Sequence, residues 1–132
     1  MRPIAFRLKP GQDLKAEIET LVRNEHIGAG CVLSAVGSLN EATLRLADGK
    51  TVKSFKGPFE IVSVTGTVSA DGCHLHLSVA DTEGKVIGGH LQIGCPVNTT
   101  AELALLVFDE LSFSREFDSE TGYEELSISS WN

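Results

Sequence analysis

With 132 residues, 42% of them apolar and 22% charged, the chain is long enough to bury a core without disulfide or metal staples and fits one domain spanning 1–132. Its 11 basic against 18 acidic residues give a formal net charge of −7. That balance argues against direct nucleic-acid or anionic-membrane binding, which needs clustered cations facing phosphate.

Met1-Arg2-Pro3-Ile4-Ala5-Phe6-Arg7 has a basic start with no apolar core behind it, and no run approaches bilayer length. A cytoplasmic chain without a membrane segment is expected. Ile4, Phe6 and Leu8 alternate with Ala5, Arg7 and Lys9, the pattern of a half-buried strand. After Pro10-Gly11, Asp13 is placed to cap a helix whose apolar stripe is Leu14, Ile18, Leu21 and Val22. The helix ends around Asn24 to His26, before Gly28 and Gly30, and His26 there serves the helix terminus.

Strand signals dominate the rest. Cys31 to Val36 is apolar, and Thr43 to Ala47 and Thr51 to Phe55 flank Asp48-Gly49, a pair suited to a type I′ hairpin. Phe59 to Val68 leads through Ala70-Asp71-Gly72 into His74 to Val79, then Val86 to Ile93. Ala101 to Phe108 fits a helix by composition and a buried strand by length. Phe113 to Phe117 and Glu124 to Ile128 flank a final turn at residues 118–122. The class is α+β: a mostly antiparallel sheet with one clear helix in the N-terminal half. Cys31, Cys73 and Cys95 are odd in number, lack metal-type spacing and read as buried reduced thiols.

Three of the four histidines fall in one hairpin. His74 and His76, two apart on a strand, share a face, with Cys73, Leu75 and Leu77 on the other. If Thr82-Glu83-Gly84 is a three-residue loop with Gly84 left-handed, Asp81 pairs with Lys85. That register sets His76 opposite His90, with Cβ atoms about 4.5–5.5 Å apart, and makes His74 their neighbour. A bulge at Gly88-Gly89 would turn His90 away. Three converging imidazoles suit Zn2+ or another divalent transition metal, with a fourth position left for water or an acidic side chain.

The run Gly57-Pro58-Phe59-Glu60-Ile61-Val62-Ser63-Val64-Thr65-Gly66, the His-x-His strand and Gly88-Gly89-His90-Leu91 resemble the PPC (plants-and-prokaryotes conserved) domain. Thr100-Ala101-Glu102 and the closing 117–123 segment resemble it too, in order. The resemblance implies a homotrimer. In plants this domain follows an AT-hook and mediates assembly with itself and with transcription factors, and prokaryotic members are often labelled DNA-binding by analogy. This chain has no Arg-Gly-Arg-Pro element, and no such segment is expected before the domain. Its one basic cluster is Arg45, Lys50, Lys53 and Lys56.

The fold also resembles acetolactate decarboxylase, a zinc enzyme whose metal is held by a His-x-His strand and a later histidine, an order that His74, His76 and His90 match. That enzyme adds carboxylates and an arginine, so the resemblance makes Glu102, Arg115 and Glu60 further candidates. Fold alone does not carry function. Three readings follow: a trimeric regulatory or assembly domain with a metal site and a protein partner, a small metal-dependent enzyme or ligand binder acting on a carbonyl, and a direct DNA-binding regulator. Stoichiometric metal beside an open cleft marks the second, strong salt dependence and a basic face the third.

Overall fold

Alternation at Ile4, Phe6 and Leu8 produces β1 (Arg2–Leu8), and Asp13 then starts α1 (Leu14–Asn24) in a computed structural model that describes residues 1–130. One carboxylate oxygen of Asp13 accepts from the Ala16 N–H at 2.9 Å, capping the helix. The other accepts from Gly94 and Cys95 at 2.8 and 2.7 Å, tying the helix start to the loop after the histidine hairpin. The helix ends on His26 at φ 52, with bonds from His26 N–H to Arg23 C=O and from Ile27 N–H to Val22 C=O. These two bonds are the Schellman pattern. His26 thus serves the helix end, with Ile27 buried beneath it.

β2 (Gly30–Arg45) and β3 (Val52–Val68) are longer than the sequence pattern suggests, each merging two expected strands. β2 stays continuous by bulging where its register slips, between Val32 and Ser34 and between Gly37 and Leu39 against the later strand at Val97–Val107, and between Leu39 and Glu41 against β3. Bulges bend a strand without ending it. Bent, β2 lies along β6 (Val97–Val107) with its first half and meets β5 (Val86–Leu91) with its last residues. The sheet order is β1-β6-β2-β3-β4-β5, with β4 at His74–Ala80, and the extra β2–β5 pairing closes β2, β3, β4 and β5 into a ring. Of the ambiguous segment Ala101 to Phe108, all but Phe108 is strand, because β6 is paired on both sides and buries Ala101, Leu103, Leu105 and Val107 in alternation.

The Asp48-Gly49 turn departs from type I′. Gly49 takes φ 71, whereas Asp48 uses its carboxylate to accept the Lys50 and Thr51 N–H groups, both at 2.9 Å, in a four-residue loop closed by Leu46 N–H to Thr51 C=O. Bonding to Thr51, its hydroxyl first, holds the Asp48 carboxyl down at about 2.

Leu14, Ile18 and Val22 of the helix share one core with Leu44, Leu75, Leu77, Leu91 and Leu105. Cys95 is buried in that core, and burial pushes its thiol up to about 11. Cys31 and Cys73 are half-buried. β7 (Leu111–Asp118) and β8 (Tyr123–Ser130) form a separate hairpin, hung on the main sheet where Phe113 N–H donates to Gly28 C=O at 2.9 Å. Among the described residues no helix is long and apolar enough to cross a membrane.

Candidate metal centre

The loop after β4 takes the expected form. Asp81 N–H bonds Lys85 C=O at 2.9 Å, Gly84 sits at φ 80, and the pairing runs Ala80↔Val86, Ser78↔Gly88, His76↔His90 with no bulge at the glycines. A small residue is needed there, since a Cβ on Gly88 would stand 2.9 Å from the Leu77 carbonyl and one on Gly89 2.8 Å from that of Arg45. Ring closure extends the row across four strands: Thr65, His76, His90, Arg45. His74 stands on the next row of the same face, opposite Thr67, while Leu75 and Leu77 go to the core.

The three imidazoles converge. Ring centroids lie 5.1 Å apart for His74–His76 and His74–His90 and 5.7 Å for His76–His90. One nitrogen from each ring lies within 4.8 Å of the others. A tetrahedral ion with bonds of about 2.0–2.1 Å holds nitrogens about 3.4 Å apart, so the rings must draw closer to close the set. Imidazole donors suit zinc and its first-row neighbours.

The surroundings of His74 and His90 favour their neutral rings. Burial, then the Arg45 charge, brings His90 down to about 4, and burial, then His76, lowers His74. Neutral imidazoles keep the lone pair that a metal takes. Arg45 Nη2 lies 3.3 Å from His90 Nδ1. A guanidinium can only donate, so this bond occupies the Nδ1 lone pair and leaves the ring proton on Nε2. An ion ligated by His90 must displace Arg45 or turn the ring over.

The depressed His90 value sets a pH dependence for the metal-free protein. Between pH 6.5 and about 4 the unfolded chain holds a proton at His90 that the folded chain lacks. Stability is therefore complete above pH 6.5 and declines as pH falls through this window. Asp48 acts only lower, between its ordinary 3.8 and about 2. Urea midpoints at pH 7.5, 5.5 and 4.5 should decline, and less steeply in His90→Gln; equal slopes in the two proteins would contradict this account.

A cleft of about 490 Å³ opens beside His74 and His90, and the β7–β8 hairpin walls it with Arg115, Tyr123, Glu124 and Glu125. Arg115 is placed by its N–H on Asp71 at 2.7 Å and its Nη2 on Thr67 Oγ1 at 3.3 Å. Of the further candidates, the fold brings Arg115 to the histidines and not the other two. Glu60 pairs with Ser38 and Ala80 at the far end of β4, and Glu102 faces outward on β6 between Arg7 and Val36. Arg45, Glu124 and Glu125 were missed as site residues. Arg45 reaches the site only through ring closure and the glutamates only through hairpin docking, neither of which leaves a local signal.

The profile of the Plants and Prokaryotes Conserved (PCC) domain matches residues 1–109, stopping before β7. The bifunctional protein GlmU of Synechococcus sp. (strain JA-3-3Ab) is 50% identical over 128 residues, covering 97% of this chain. The chain spans about a fifth of that relative, 21% of its length. A hypothetical protein of Salmonella superposes with a TM-score of 0.96 at 39% identity, over 99% of this chain and 95% of its own. The metal-containing protein of Archaeoglobus fulgidus gives 0.76 at 28% identity, over 96% and 94%. A Staphylococcus aureus protein similar to alpha-acetolactate decarboxylase, at 14% identity and a TM-score of 0.54 over 80% of this chain and 52% of its own, shares the fold alone. With its profile covering residues 1–109 of 132, the chain belongs to the Plants and Prokaryotes Conserved domain family.

Proposed function

We propose that this domain binds one divalent transition-metal ion per chain on His74, His76 and His90, with zinc the first candidate, and acts as a metal-dependent ligand-binding or regulatory module. The observation that carries the reading is the convergence of three imidazoles, two of them held below the ordinary histidine range, on one sheet face beside an open cleft. The Archaeoglobus relative, described as metal-containing, supports it. Such an ion supplies Lewis acidity toward a carbonyl or other oxygen ligand when bound. Titration of untagged, chelator-stripped protein with zinc against a chromophoric chelator should reach one equivalent per chain. Uptake well below that, or none, overturns the reading.

The assembly we propose is a homotrimer. Leu33, Val36 and Val62 are each more than half exposed on β2 and β3, and Phe117 and Ile128 more than 60% on the hairpin. Association of copies would cover apolar surface of this kind. Another subunit could then supply an acidic fourth ligand. Light scattering should give about three times the 14.1 kDa chain mass; a monomer at micromolar concentration would contradict it.

Direct DNA binding is the weaker reading. Lys53 and Lys56 are three apart in a continuous register, opposite Leu44 and Glu41, and so point to opposite faces of β3. Arg45 is turned to His90. Lys53 and Lys56 therefore do not contribute to one basic face.

A further inference from the structure

We propose that the cleft beside the histidines binds a small oxyanion, the carboxylate of a small organic acid, between the guanidinium groups of Arg45 and Arg115. The inference deepens the metal reading and rests on it, because an ion that takes the His90 Nδ1 lone pair releases the Arg45 guanidinium for another acceptor.

Arg45 is short of acceptors even before that release. Its Nε is buried and has no hydrogen-bond partner among the described residues. A buried donor without an acceptor costs about 1–3 kcal/mol, more when charged, and an anion in the cleft would remove that cost. Arg115 comes from the other sheet and lines the same cleft, its backbone fixed by Asp71 and its Nη2 by Thr67.

Neither arginine forms an ion pair with a carboxylate among the described residues. That stands out in a chain with net charge −7 whose cleft also carries Glu124 and Glu125. Two unpaired guanidiniums flanking one opening suit an oxyanion, since the planar fork matches carboxylate geometry. The cleft, at about 490 Å³, has the size of a small-molecule site. Arg115 and both glutamates lie beyond residue 109, past the family match.

The test is an NMR titration of zinc-loaded protein with butyrate, its neutral amide butyramide, and inorganic phosphate, following the Nε–H signals of Arg45 and Arg115. Butyrate should shift both signals saturably and butyramide should not. Arg45→Gln and Arg115→Gln should each weaken butyrate at least tenfold while keeping bound zinc. Arg115→Gln, on the outer hairpin, keeps the test open if Arg45→Gln fails to fold. Equal binding of acid and amide, or unchanged affinity in the variants, overturns the inference. Saturation by phosphate without butyrate overturns the carboxylate assignment. Protein that takes up no zinc overturns the metal reading instead, whereas zinc-loaded protein indifferent to butyrate overturns this inference alone.

Discussion

Replacing His76 and His90 together with Ala is expected to abolish stoichiometric zinc binding and leave the fold in place. Changing groups that merely support a metal's ligands already weakens binding by about 10–100-fold, so losing a ligand outright should exceed about 100-fold, and losing two should leave no measurable site. The fold should survive because His76 is exposed and His90 half-exposed, whereas the stabilising side chains of that hairpin, Leu75, Leu77, Val79 and Leu91, are untouched. Zinc content and far-ultraviolet circular dichroism, measured on the same preparations, check this. Full zinc retention in the double variant would place the metal elsewhere.

The second large effect is expected at Gly66. It pairs with Leu75 in the β3–β4 ladder at φ 143, where a Cβ would overlap the His74 carbonyl oxygen, a backbone atom that cannot swing aside. Gly66→Ala therefore forces β3 and β4 apart at the residue that carries the first histidine. Backbone strain and lost ladder bonds together should cost about 3 kcal/mol or more. Zinc affinity should fall with stability, although no metal-facing side chain has changed. Chemical denaturation with parallel zinc titration tests the coupling; a variant of native stability and affinity would show that the sheet yields at that point.

Much of the site was legible because β geometry is periodic. A two-residue spacing fixes which side chains share a face, and Gly84, able to turn left-handed, fixes the loop length and hence the His76–His90 pairing. The helix was equally readable from Asp13 and the Leu14, Ile18, Val22 stripe. Harder to read were features set by distant parts of the chain. The continuity of β2 and β3 across expected breaks depends on bulges and neighbouring strands. The β2–β5 closure that carries Arg45 to His90 joins residues 45 apart in sequence. The cleft wall depends on how the terminal hairpin docks through Phe113 and Arg115. The Asp48-Gly49 pair misled for a local reason: the aspartate satisfied backbone donors through its carboxylate and kept out of the left-handed region.

X-ray absorption at the zinc edge, on untagged protein loaded with one equivalent, tests the central claim most directly. Three imidazole nitrogens at about 2.0–2.1 Å with one further light-atom ligand are expected. A shell dominated by sulfur, or one with fewer than two imidazoles, would contradict it.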